Sequence, residues 1–147
     1  MDACGVREHG ARPAVTISIS IPGDPVPQPR PRITTRGGHG HAYTPKSHPI
    51  HAYRQAIAMC AKAAGATPGT APVQLVIDLV FARPKSHFRK AGLRPDAPVL
   101  PRADCSNVLK GIEDSLNGIA WVDDSQVSRI VIEKSYGETG RTTVRIT

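Results

Sequence analysis

The chain has 147 residues, 39% of them hydrophobic, enough to build the core of one domain and too few for two. Nineteen Lys and Arg against twelve Asp and Glu give a formal charge of +7, which favours polyanionic partners. Aromatics at 4% argue against a base-stacking platform, and no apolar run approaches the ~20 residues of a membrane span or forms a secretory leader.

Residues 1–14 show no periodicity and read as a loose tail ahead of a single domain over 15–147. Val15 to Ile21 alternates apolar and polar side chains, the pattern of a half-buried strand, and Pro22-Gly23 closes it. Pro25, Pro27, Pro29 and Pro31 force the next segment to be extended, presenting Arg30 and Arg32 from a stiff backbone. Gly37, Gly38 and Gly40 predict a mobile loop over 36–41. A helix opens at Ser47 or Pro49 and runs to about Ala64, with Ile50, Tyr53, Ile57 and Ala61 inward and Arg54 and Lys62 facing away.

Val73 to Phe81 is apolar at nearly every position apart from Asp78, which predicts a central strand covered on both faces. Residues 83–103 are basic and Pro-rich and read as a long loop carrying Lys85, Arg89 and Lys90. In it Phe88 is read as anchored on the core, with a wedge into opened DNA as the alternative. Asn107 to Asn117 forms a short helix that buries Val108, Leu109, Ile112 and Leu116. Val127–Tyr136 and Thr142–Ile146 read as strands joined as a hairpin through residues 137–140. The order β-α-β-α-β-β predicts an α/β (α+β) domain with two helices on one mixed sheet.

The charge is unevenly placed. Residues 1–103 carry 14 Lys/Arg and 5 Asp/Glu, a balance of +9, whereas residues 104–147 carry 5 and 7, a balance of −2. Five of those seven acids lie between Asp104 and Asp124. A metal-dependent nuclease needs such a division, with basic surface for the phosphate backbone and carboxylates for a hard cation. A basic protein with its acids on one exposed helix shows the same arithmetic. Cys4, Cys60 and Cys105 are too scattered for a disulfide framework or structural zinc, and a reducing cytoplasm is the simplest compartment. His39, His41, His48 and His51 have chelating spacings but read as loop or DNA-facing residues.

The acids fall in a pattern, Asp104-x-Ser106-Asn107-x-x-Lys110 followed by Asp123-Asp124. A helix start and a nearby turn can bring carboxylates and a lysine to one point, where Mg²⁺ is commonly held by one or two carboxylates and substrate phosphate. Each residue also has a structural role open to it: capping for Asp104, Ser106 and Asn107, a solvated helix face for Lys110, and a polar turn for Asp123 and Asp124.

The strings Gly23-Asp24-Pro25-Val26-Pro27-Gln28-Pro29-Arg30-Pro31-Arg32, Arg102 to Lys110, Ile112 to Gly118 and Trp121 to Val127 resemble the RusA family of Holliday junction resolvases. The resemblance runs from about Ile17 to Thr147. It implies a small homodimer that binds four-way DNA junctions and nicks two opposing strands with Mg²⁺, Mn²⁺ being a substitute. It implies catalytic roles for Asp104, Lys110 and Asp124, a metal shell drawn from Asp104, Ser106, Asp123 and Asp124, and no small-molecule cofactor or membrane. Arg30, Arg32, Lys85, Arg89, Lys90 and Asn107 are the expected DNA contacts. The best-known members carry an acid where this chain has Ser106. Asp123 and Asp78 are the candidates to compensate, although Asp78 also reads as a hydrogen-bonded strand acid. The competing reading is a non-catalytic junction-binding protein with a degenerate metal site; an RNA-binding protein fits the charge but leaves the acids unexplained.

Overall fold

Alternation along the first strand decides which side of the molecule is core: Ile19 and Ile21 are buried while Ser18 and Ser20 are exposed. The computed structural model describes residues 16–147, so the expected tail over 1–14, Cys4 and Val15 lie outside the described residues. In chain order the elements are β1 (Ile17–Pro22), β2 (Arg32–Arg36), β3 (His39–Tyr43), α1 (Ile50–Ala63), β4 (Val73–Ala82), β5 (Phe88–Arg89), β6 (Gly92–Leu93), α2 (Cys105–Leu116), β7 (Val127–Gly137) and β8 (Arg141–Ile146). Short 3-10 turns cover Lys85–His87 and Asp124–Gln126.

The principal sheet has the order β1-β8-β4-β7, with β7 parallel to β4 and β8 antiparallel to both β1 and β4. The expected mixed sheet with two helices is therefore present, and β4 is central to it. Ile50, Tyr53, Ile57 and Ala61 recur at helical spacing and bury one face of α1 in the core that also holds Leu75, Ile77 and Leu79, with α1 packed against α2 and β1. Val108, Ile112 and Leu116 do the same for α2, and Trp121 closes the core behind them. Gly111 lets the helices approach, since a Cβ there would come within 3.3 Å of Ile50 Cδ1. Tyr53 links α1 to β8 through a 2.7 Å hydroxyl contact with Thr142, and burial pushes its phenol up to about 12.

The sheet corrects several expectations. β4 is covered on one face only: Leu75, Ile77 and Leu79 are buried, whereas Val76, Asp78 and Val80 are partly exposed. Its register partners on that second face include Arg145, Thr143, Glu133 and Ser135, so solvent covers it instead of helices. Asp78 lies there, across the sheet from α2, and cannot replace the acid missing at Ser106. The strands β7 and β8 do not form a hairpin either, because β4 lies between them. The link over 138–140 passes across the end of β4, held where the Gly23 N–H donates to Gly140 O (3.0 Å) and the Ala82 N–H to Asp24 Oδ1 (2.8 Å). Short connections usually join paired strands, which is why the sequence suggested otherwise.

The loops are also more ordered than their composition predicts. Residues 36–41 belong to a hairpin of β2 and β3, with Gly37 and Gly38 at φ +70° and +79° forming its turn. The basic segment 83–103 folds through the short β5–β6 pair, an Arg94–Asp96 ion pair at 2.8 Å, and an Arg83 bond to Pro98 O at 2.9 Å. Phe88 pairs across that hairpin with Leu93 and is half exposed, so it is not anchored on the core. Arg54 does not face away: it donates to Gln28 Oε1 and to Asp114 Oδ2 (3.1 Å), tying the Pro-rich segment, α1 and α2 together.

A side chain at position 140 would collide with the Asp24 carboxylate and backbone. Gly140→Ala is expected to destabilise by about 1–3 kcal/mol in urea titration, as overpacking does. Gly69→Ala, which meets nothing within 4 Å, serves as the near-neutral comparison.

Candidate active site

The second helix begins with a cap. Asp104 sits at the N-cap with extended backbone, and its Oδ1 accepts the Ser106 N–H at 3.0 Å. The capping role is thus real, and it uses one carboxylate oxygen of Asp104 while leaving the other to solvent. Behind the cap, the Lys134 ammonium donates to Ala103 O at 2.9 Å and ties the helix start to β7.

From there the outer side of α2 divides. Ser106, Lys110 and Glu113 follow at i, i+4 and i+7 and form one outward line opposite the buried face. Asn107 and Asp114 lie on the flank toward α1. There Asn107 O accepts the Gln28 N–H at 3.0 Å, and Asp114 accepts from Arg54. The amide of Asn107 is exposed.

Beyond α2 the chain turns through Trp121, which is fully buried. A buried indole N–H requires an acceptor, and here Nε1–H donates to Asp124 Oδ1 at 2.8 Å. Asp124 is therefore partly buried and oriented by the core. Asp123 differs. It is exposed, Ser125 Oγ donates to its Oδ2 at 2.6 Å, and its backbone N–H donates to Gln126 Oε1 at 2.8 Å. The Gln126 amide in turn donates to Gly69 O (2.7 Å) and Ala71 O (3.0 Å), fastening the turn to the loop before β4. The adjacent acids thus have separate environments, Asp123 engaged within the turn and Asp124 aimed by the indole.

Glu113 is the residue that sequence reasoning missed. Its carboxyl pKa is raised by partial burial first, then by the charges of Asp124 and Asp114. Asp114 has Arg54 as its partner; among the described residues Asp124, Glu113 and Lys110 form no ion pair. The available signal was spacing, since Glu113 continues the helical line of Ser106 and Lys110. Asp104 lies about 14 Å from Glu113 along the axis at 1.5 Å per residue, so the site is elongated along the helix. Among the described residues no three His, Cys, Asp or Glu side chains form a closed ligand set.

The expected DNA contacts are all exposed: Arg30 and Arg32 end the Pro-rich segment that Gln28 docks on α2, and Lys85, Arg89 and Lys90 line the β5 region. That region rests on β7, where Tyr136 meets the His87 ring edge-on at 5.5 Å and the Arg83 guanidinium at 4.4 Å. Two of the histidines have local duties. His48 Nδ1 accepts the Ile50 N–H at 3.1 Å, and His51 Nε2 donates to Pro45 O at 3.1 Å. Cys60 and Cys105 are free thiols.

The result is a basic α+β domain with carboxylates along one helix and in the turn that follows it. The Endodeoxyribonuclease RusA family model matches residues 22–147, nearly the whole chain. The chain belongs to that family, whose nucleases act on Holliday junctions, and the resemblance read from the motifs is borne out. It is also similar to the uncharacterized protein YqaN of Bacillus subtilis (strain 168), at 31% identity, covering 88% of this chain and 94% of that protein.

Trp121→Phe keeps the ring in the core but removes the bond to Asp124. The expected loss is about 1.5–3 kcal/mol of stability, the usual size for a hydrogen bond to a charged group, read from denaturant titration. Glu113 binds its proton more tightly folded than unfolded, so its contribution is favourable below the ordinary carboxylate range and is lost as pH rises toward its raised value. Glu113→Gln is therefore expected to be more stable than wild type at neutral pH, with the difference in Tm vanishing in acid below that range.

Proposed function

We propose that this protein is a Mg²⁺-dependent resolvase that acts as a homodimer in the cytoplasm and nicks opposing strands of a four-way DNA junction. The observation that carries this reading is Asp124, oriented from the core by the Trp121 indole in the turn that follows the helix capped by Asp104, on an otherwise basic domain. Among the described residues neither Asp104 nor Asp124 is paired with a cationic side chain. Carboxylates left without a cationic partner suit a hard cation.

The donors suit Mg²⁺, being all oxygen, and the ion keeps several waters and needs only one or two carboxylates plus substrate phosphate. Asp104 and Asp124 would hold it, with Ser106 and Asp123 beside them and Mn²⁺ as a substitute. Bound there, the ion supplies Lewis-acid polarisation of the scissile phosphodiester. The chain's own residues do the rest. Trp121 holds Asp124 in one orientation. Lys110, exposed between Ser106 and Glu113, directs a point charge at the phosphate where negative charge develops. Arg30, Arg32, Lys85, Arg89 and Lys90 bind the backbone on either side, and a two-fold dimer would match the two cuts to the junction's own symmetry. Among the described residues no helix is long and apolar enough to cross a membrane.

Incubation of a labelled four-way junction with the protein in Mg²⁺ and in EDTA tests this. Paired nicks that need the metal are expected. Asp124→Asn should slow cutting by at least about 100-fold, a few kcal/mol of lost transition-state stabilisation, while junction binding is kept or tightened. Normal cutting by Asp124→Asn would displace Asp124 from the site.

Ser106 and the lack of a closed three-acid set among the described residues favour one other reading, a junction-binding protein without turnover. It predicts binding with no nicks in any divalent ion, and none after Ser106→Asp. The resolvase reading instead predicts cutting by the native chain, at a lower metal concentration once Ser106→Asp adds a carboxylate.

A further inference from the structure

Between Asp24 and Asp78 the chain contains no Asp or Glu. Within that acid-free stretch the β2–β3 hairpin stands apart from the rest of the fold. Neither strand packs extensively on a helix or on the main sheet, and nine of its ten strand residues are exposed. A two-stranded hairpin with no surface to pack on is marginal in water, so core formation does not account for it.

Its register separates two faces. Arg32 pairs with Tyr43, Thr34 with His41, and Arg36 with His39, while Ile33 pairs with Ala42 and Thr35 with Gly40. Opposed residues share a face and successive pairs alternate. One face therefore carries Arg32, Arg36, His39, His41, Thr34 and Tyr43, and the other only small or apolar groups and Thr35. The cationic face has no acidic neighbour on either strand.

We infer that the β2–β3 ribbon is a DNA-gripping arm whose Arg32–Arg36 face lies against a duplex arm of the branched substrate. This deepens the proposed function and rests on it. The major groove is about 12 Å wide and admits a two-stranded ribbon. Arg32 and Arg36 are four residues apart on one extended strand, about 14 Å, so their guanidiniums reach phosphates on both sides of such a groove. Thr34, His41 and Tyr43 between them offer hydrogen-bonding groups. The arm's base is held near the cutting site. Gln28 is bonded to Asn107 O on α2 and to Arg54, and Pro29 and Pro31 stiffen the short link from it to Arg32. Four residues span at most about 14 Å, so a duplex on the ribbon passes beside α2 and Lys110.

The test is fluorescence anisotropy with a labelled four-way junction and with one of its arms as a linear duplex, in EDTA and across a salt series. The Arg32→Ala, Arg36→Ala double variant is expected to bind both probes about 10-fold or more weakly at low salt. Its log–log salt slope should be smaller by about 2, two phosphate contacts fewer. Ile33→Thr, on the opposite face, should bind like wild type. Wild-type affinity and slope in the double variant overturn the proposal. So does conversion of that variant to a monomer in light scattering with duplex affinity unchanged, which makes the ribbon a clasp between subunits. The two readings fail separately. A protein that cuts no junction yet loses duplex affinity in the double variant keeps the arm and discards the resolvase; one that cuts junctions and binds independently of the ribbon does the reverse.

Discussion

The indole of Trp121 is where the core dictates terms to the site. A side chain that large, fully buried, contributes heavily to the fold, but its N–H cannot be left unpaired without a cost of about 1–3 kcal/mol. Asp124 Oδ1 accepts it at 2.8 Å, so packing the core and aiming the carboxylate are one event. Gln126 then ties the same turn to Gly69 and Ala71, ahead of the central strand. The position of Asp124 is thereby coupled both to the layer of helices and to β4.

A second coupling runs through Arg54. Its guanidinium joins Gln28 of the Pro-rich segment to Asp114 of α2, and the Gln28 N–H also binds Asn107 O. Gly111 leaves room for this crossing, with a Cβ there 3.6 Å from Gln28 Oε1. The acid-free stretch of the chain is consequently seated on the helix that carries Asp104, Lys110 and Glu113.

Much of the fold could be read from local pattern. The alternation around Ile19, the helical spacing of Ile50, Tyr53 and Ile57, and the cap at Asp104 each depend on neighbours within one or two turns. The pairing of β8 with β4 could not be read so, because adjacency in sequence favours the β7–β8 hairpin, whereas β8 pairs along its length with β4 on one side and β1 on the other. Asp78 was ambiguous for a related reason: alternation says that it faces away from Ile77 and Leu79, but not which face the helices cover. The Gly-rich stretch 36–41 looked mobile by composition, whereas Gly37 and Gly38 supply the positive φ values that a tight hairpin turn requires.

By itself, the sequence determined the family, the two helices, the central place of β4, the acid-bearing segment and the basic character of the rest, since motif, periodicity and charge are properties of the chain in order. Only the tertiary structure decided that Asp123 serves its own turn while Asp124 answers to Trp121, that Glu113 is partly buried, and that Asp78 lies on the far side of the sheet. Those distinctions rest on contacts between segments, which spacing along the chain does not encode. A carboxylate's chemistry is set by what faces it in space, by burial and by neighbouring charge.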